Sequence, residues 1–385
     1  MRHVYLIGSK GIPANYGGFE TFAERLTTKK QSQEITYHVT CLSKEEGRDE
    51  YLGVDCIHLS VPEIGPAKAM LYDRKAFLFA LTEIRDNGYE EAVILIMACR
   101  IGLFFPGLMK KARRLGVRVF VNPDGHEWMR SKWKGWIQKY WKYSEGRMVK
   151  DADLLICDSK EMERYIRAEY ASYQPETCYL AYGADLPKEE TDPSTDKAYE
   201  DWCRTHDVQA GAYALVVGRF VPENNYETMI REYLASSLSI PLVLICNVEK
   251  NKFYESLQAQ FAIDHNPRIL FAGTVYDSAL LTAIRKGAAV YLHGHEVGGT
   301  NPSLLEALSC TEVNLLLDVP FNREVGEEAA LYWTKEPGSL QKQLEFAVKL
   351  SLPQKKAFGC RAKNRIRDAY TWERIVEGYE ERFLA

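Results

Sequence analysis

The sequence predicts an α/β protein of two Rossmann-like, doubly wound domains facing a central cleft. Three observations predict it. Short apolar runs alternate with segments of helical period from one end of the 385-residue chain to the other. A polar stretch at 186–205, with Pro187, Pro193 and no apolar period, breaks that alternation near the middle. Two glycine-rich turns each lead from an apolar run into a helix. Continuous apolar runs separated by helices read as strands buried on both faces, hence as parallel sheets.

In the first half, strands are expected at 3–8, 35–42, 54–60, 92–97, 117–122, 153–157 and 178–181. Amphipathic helices are expected at 18–30, 68–87, 102–115 and 159–170. The break at 186–205 reads as a linker or surface loop. A second series follows, with strands at 212–217, 241–246, 268–272, 288–292 and 313–317. Its helices fall near 225–236, 251–263, 277–286 and 302–310. The closing stretch, about 355 to 384, is helical and carries Trp372, Ile375, Val376 and Tyr379 at helical spacing.

Composition narrows the function. Hydrophobic residues make up 46% and charged residues 26%, the balance of a soluble globular protein. A net charge of -4 argues against nucleic acid as the main partner. The nine cysteines form no CxxC pair or His/Cys cluster and sit in apolar runs such as Leu155–Cys157, as buried hydrophobes in a reducing compartment do. Val4–Ile7 opens the chain as a strand with no signal-peptide pattern before it, and no apolar stretch approaches the roughly 20 residues of a spanning helix. The expected location is the cytoplasm, as a peripheral protein on the inner face of the cell membrane.

The first strand runs into Gly8, Gly11, Gly17 and Gly18 before a helix. Such a turn lets backbone N–H groups approach an anion. Its spacing is not GxGxxG, which disfavours a nicotinamide cofactor, and no GxxxxGK[ST] element occurs. The second turn, Gly298-Gly299-Thr300-Asn301-Pro302-Ser303, follows the strand at 288–292, and Pro302 suits a first helical turn. N–H groups and hydroxyls there would meet a diphosphate at the positive end of a helix dipole. Glu306 lies one turn further on, either accepting hydrogen bonds from ribose hydroxyls or simply solvated. Gly218 and Arg219 end the first strand of the second domain, where an arginine points into the ligand crevice of an open α/β sheet and pairs with phosphate.

The order Gly218-Arg219-Phe220-Val221-Pro222-Glu223, then Phe271-Ala272-Gly273, then Gly298–Leu308 resembles the retaining GT-B glycosyltransferases of family 4. Tyr16–Thr21, Asn122–Trp128, Gly218–Asn225 and Gly299–Ser303 are similar to one subgroup, the bacterial rhamnosyltransferases that use dTDP-L-rhamnose to build capsule and cell-wall polysaccharides. The resemblance implies an N-terminal acceptor-binding domain at 1–183, a nucleotide-sugar domain at 184–365, and a helix at 366–385 packing back on the first. It departs from the wider family twice. Gly298 stands where a Glu is usual and Asn224 where a Lys is usual, so Glu296 and Arg323 are the candidate replacements. The rhamnosyl subgroup shares both departures.

The resemblance further implies transfer with retention, the leaving diphosphate itself taking the acceptor proton, so that the protein positions groups and stabilises charge. Catalytic roles fall to Arg219, His126, Asp124 and Glu127. The donor would be held by Gly218, Arg219, Asn224, Thr274, Tyr276, Gly298, Gly299, Thr300, Asn301, Pro302, Ser303 and Glu306. Tyr16, Gly17, Gly18, Phe19 and Glu20 would hold the acceptor, a GlcNAc or glucose on a lipid diphosphate. No metal or other cofactor is expected. Asp151-Ala152-Asp153 invites comparison with a metal-binding DxD motif, but it abuts an apolar strand and reads better as a cap. His293 and His295 suggest ligands, yet no third is apparent.

Residues 128–150 concentrate four of the seven tryptophans among basic residues. Trp133, Trp136, Ile137, Tyr140 and Trp141 recur at helical spacing, with lysines including Lys139 and Lys142 on the other side. Two readings stand. The aromatics enter a headgroup region while lysines attract anionic lipid at about 1 kcal/mol each, or they pack into the first domain. Beside rhamnosyl transfer, use of another UDP- or GDP-sugar, a nucleotide-sugar epimerase, and a catalytically silent membrane-bound subunit remain open.

Overall fold

The computed structural model describes residues 1–14, 17–130, 133, 135–187 and 196–385, with the side chain of Pro66 excepted. Two compact units result, one of Met1–Gly183 with Trp372–Ala385 and the other of Ala184–Thr371.

The first unit follows the expected alternation: β1 (Arg2–Ile7), α1 (Gly18–Thr28), β2 (Ile35–Leu42), β3 (Gly47–Tyr51), β4 (Val54–Leu59), α2 (Lys68–Asn87), β5 (Val93–Met97), α3 (Phe105–Arg114), β6 (Arg118–Asn122), α4 (Trp136–Asp151), β7 (Leu154–Cys157), α5 (Lys160–Glu169) and β8 (Thr177–Tyr179). The sheet order is β3-β4-β2-β1-β5-β6-β7-β8. All pairings are parallel except β3 with β4. Every residue of β5, Val-Ile-Leu-Ile-Met, is buried, as a strand covered on both faces requires. Strand β3 escaped the sequence reading because Gly-Arg-Asp-Glu-Tyr is an exposed edge with no apolar signal.

The second unit contains α6 (Lys197–His206), β9 (Ala214–Val217), α7 (Tyr226–Ala235), β10 (Leu242–Ile245), α8 (Lys252–Phe261), β11 (Ile269–Gly273), α9 (Ser278–Lys286), β12 (Val290–His293), α10 (Pro302–Cys310), β13 (Asn314–Leu317), α11 (Pro320–Gly326), β14 (Leu331–Trp333), α12 (Ser339–Lys349) and α13 (Leu352–Ala369). Its parallel sheet has the order β11-β10-β9-β12-β13-β14. The strand order reverses at β1/β5 in the first sheet and at β9/β12 in the second. Loops leaving the carboxyl ends of strands part at such points and leave a crevice.

Two expectations need correction. Residues 196–205, read as linker, form most of a helix instead. Asp196 caps it by accepting from Ala198 and Tyr199 N–H, and Tyr199 and Trp202 bury beside Tyr213. The prolines and acids upstream masked that short amphipathic period; 188–195 lie outside the described residues. The closing helix is two helices, since α13 ends at Ala369 and α14 (Trp372–Leu384) belongs to the first unit. There Tyr379 packs 5.1 Å from Phe22, and Glu380 accepts from the N–H groups of Gln31 (3.1 Å) and Ser32 (2.8 Å).

Candidate active site

In the second unit, Gly218 and Arg219 leave β9 directly beside the loop that leaves β12, because Val290 and Tyr291 pair with Ala214 and Leu215. The Arg219 side chain is exposed and its guanidinium has no partner among the described residues. Asn224 bridges two parts of this edge. Its Nδ2 donates to the Arg219 carbonyl (2.7 Å) and its Oδ1 meets His295 Nδ1 (2.9 Å), which fixes a proton on that nitrogen. Asn224 therefore organises the loops where a lysine would have added charge.

The glycine loop reaches α10 as expected. Asn301 caps the helix, its side chain accepting from Ser303 N–H at 2.9 Å. Gly299 is buried, yet the N–H groups of Gly298, Gly299 and Asn301 meet no acceptor among the described residues. One buried and two half-buried residues thus present N–H groups at a helix N-terminus, an arrangement that favours an anion. Gly298 has φ +131°, and a Cβ there would stand 3.3 Å from His295 Nε2. Thr300 is buried, and the Ser303 hydroxyl is engaged within the unit: its Oγ donates to the Val217 carbonyl (3.2 Å) and lies 3.2 Å from the Tyr291 hydroxyl. Thr274 is half-buried and Tyr276 is 72% exposed, beyond β11.

Glu306 is neither free nor merely solvated. Its carboxylate pairs at 2.7 Å with Arg285, whose side chain is only 4% exposed and also donates to Ser303 Oγ (3.1 Å). Burial opposes the charge on Arg285, but Glu306 and Tyr291 outweigh it and raise its pKa. Nothing in the sequence marked Arg285, an arginine at the end of an ordinary amphipathic helix. The candidate replacements are also engaged: Arg323 with Asp318 (2.7 Å) and over the Tyr332 ring, Glu296 with Lys335. His293 is fully buried, its Nε2 without a partner, and burial holds its pKa to about 3, so the ring stays neutral. Among the described residues no three His, Cys, Asp or Glu groups form a metal-sized cluster.

In the first unit, Asp124 (φ +54°) and His126 (φ +39°) occupy the left-handed region in the loop after β6. Two such non-glycine residues in one short loop store strain that surrounding contacts must hold. Arg130, largely buried, supplies them: it reaches Asp124 at 3.7 Å and pairs closely with Glu127, which also accepts from Trp133 Nε1 at 2.8 Å. His126 packs against Tyr165 with ring centroids 4.2 Å apart, and burial lowers its pKa. Asp153 is a strand-start acceptor for Val119 N–H (2.8 Å). Tyr16 lies outside the described residues. A Cβ on Gly17 would strike Glu20, whose Oε1 accepts from Lys10 N–H at 2.7 Å, so Gly17 and Glu20 shape this turn; Gly18 starts α1 and half-buried Phe19 follows.

Helix α4 divides its aromatic residues differently from the sequence reading. Lys142 turns inward, its Nζ 4.9–5.0 Å from the rings of Trp128, Tyr165 and Tyr170 and 2.7 Å from Glu169. Tyr140 donates to the Arg100 carbonyl at 2.8 Å, and Trp133 and Trp141 are half-buried, 5.8 Å apart. Trp136, 76% exposed, Lys139 and Tyr143, at i, i+3 and i+7, make the outward stripe.

The whole chain matches solved GT-B glycosyltransferases and has their fold. Sucrose-phosphate synthase from Thermosynechococcus elongatus matches with TM-score 0.74 and 14% identity over 100% of this chain and 98% of its own. An α,α-trehalose-phosphate synthase (UDP-forming) from Burkholderia xenovorans, solved with glucose-6-phosphate, gives 0.75 and 12% over both whole chains. Anabaena Alr3699/HepE, solved with UDP and glucose, gives 0.73 and 13% over both whole chains. In sequence, the family described as Domain of unknown function (DUF1972) matches residues 1–185. An uncharacterized glycosyltransferase of Methanocaldococcus jannaschii, MJ1069, is 23% identical over 66% of this chain. This chain spans 64% of that relative's length.

Proposed function

We propose that the protein is a retaining glycosyltransferase that moves L-rhamnose from dTDP-L-rhamnose to a sugar, GlcNAc or glucose, on a lipid diphosphate. The observation that carries the transferase reading is the β9/β12 switch point. There the unpaired Arg219 guanidinium and the unaccepted N–H groups of Gly298, Gly299 and Asn301 share one sheet edge. Donors held by a rigid scaffold before the ligand arrives stabilise charge on a leaving diphosphate without reorganising. His126, Asp124 and Glu127 act on the sugar side, with Arg130 holding the two acids in place. The rhamnosyl donor rests on the resemblance at residues 16–21, 122–128, 218–225 and 299–303. The outward Trp136–Lys139–Tyr143 stripe suits attachment to an anionic inner membrane face, and among the described residues no helix is long and apolar enough to cross a membrane.

A UDP-sugar donor is the second reading, favoured by structural neighbours solved with UDP. Incubating purified protein with dTDP-rhamnose, UDP-glucose, UDP-GlcNAc and GDP-mannose in turn, with short-chain lipid-diphosphate acceptors, separates the two by product mass.

A further inference from the structure

At the switch point of the first sheet stands an arginine that the sequence reading passed over. Arg100 follows β5 beside the Gly8 turn that leaves β1. Its Nη1 donates to the Gly8 carbonyl (2.7 Å) and to Asp73 Oδ2 (3.1 Å). Asp73 is wholly buried on α2 and serves no other described group, its Oδ1 being without a partner. Together the two contacts fix the guanidinium plane. Its remaining edge, Nε and Nη2, has no partner among the described residues, although the side chain is only 19% exposed. Two parallel donors on a rigid plane form a fork. Phe19 lies beside it, its ring centroid 5.7 Å from the Arg100 Cζ.

The surrounding charge decides what the fork takes. Asp73, Asp124 and Glu127 all act on Arg100, and Arg130 offsets only part of their charge. An added phosphate would enter a field with more carboxylates than guanidiniums. A neutral ring bearing adjacent hydroxyls accepts from the Arg100 fork without adding negative charge to that field. Resting on the glycosyltransferase reading, we propose that Arg100 is a saccharide-binding residue of the first unit, its Nε and Nη2 donating to two neighbouring hydroxyls of the acceptor sugar.

The test uses the full chain and the variants Arg100→Lys, which keeps the charge but loses the fork, and Arg100→Gln. Because Arg100→Gln orphans a buried carboxylate, it is paired with Arg100→Gln/Asp73→Asn. The acceptor KM is expected to rise about ten- to a hundredfold, the range for losing hydrogen bonds from a charged donor, with donor KM unchanged throughout and the melting temperature held in the double variant, where no buried carboxylate is orphaned. Inhibition by methyl GlcNAc or methyl glucoside should weaken in parallel, and inhibition by inorganic pyrophosphate should not. An acceptor KM within twofold of wild type in all variants overturns the proposal, as does weakened pyrophosphate inhibition alone, which would make this an anion site. Saturation-transfer NMR with the same methyl glycosides needs no turnover. Loss of the signal in the variants therefore supports the site even if no donor is transferred, and equal signals in wild type and variants overturn it.

Discussion

Glu306 shows how one contact changes an expected phenotype. With Arg285 buried behind it, Glu306→Gln leaves a guanidinium in the interior without its counter-charge and should destabilise by about 1–3 kcal/mol, read as a lower urea midpoint. Arg219→Ala removes an exposed, unpaired cation and should leave that midpoint unchanged while lowering turnover at least about 10²-fold; near-normal turnover would remove Arg219 from the donor site. His293 offers a pH test. Its pKa is held to about 3 by burial, below the ordinary 6.5, so unfolding takes up a proton between those values. Stability should fall as pH drops through that window by about 1.4 kcal/mol per unit. His293→Leu should remove that part of the slope between pH 7 and 5, and an unchanged slope would place a charged or hydrated imidazole there.

At the scale of elements, α4 separates two roles that its sequence ran together. Trp136→Ala with Tyr143→Ala should weaken binding to phosphatidylserine vesicles without altering the melting temperature, whereas Trp141→Ala should lower the melting temperature. Unchanged vesicle binding in the double variant would withdraw the outward stripe from membrane attachment. Most core strands were legible because parallel strands buried on both faces leave unbroken apolar runs, as Val93–Met97 does. Edge strand β3 and helix α6 were not legible, since one is polar and the other follows acids and prolines. The Gly298–Ser303 turn was legible because capping chemistry is local: Asn301 and Pro302 must stand where they do. Which hydroxyls turn inward was not, because Ser303 answers to Tyr291, Val217 and Arg285, residues distant in sequence. Arg100, Asp73 and Arg130 escaped for the same reason, their roles existing only once β1, β5, β6 and α2 are side by side.

Across the whole molecule, each unit has a sheet whose order reverses once, at β1/β5 and at β9/β12, and each reversal carries chemically incomplete groups. In the second unit they are Arg219 and the N–H groups before α10; in the first it is the Arg100 fork, with the strained Asp124–His126 loop following the next strand, β6. The GT-B fold places both groups in one chain, and under the proposed transferase reading the second unit would take the anion and the first the sugar hydroxyls. Donor transfer tests that division most directly. Purified protein would receive dTDP-rhamnose, UDP-glucose, UDP-GlcNAc or GDP-mannose with a short-chain lipid-diphosphate GlcNAc or glucose, and products would be weighed by mass spectrometry. The expected result is gain of one deoxyhexosyl residue with dTDP-rhamnose alone. Transfer from a UDP- or GDP-sugar instead would contradict the donor assignment, and no donor binding or transfer at all would contradict the enzyme reading itself.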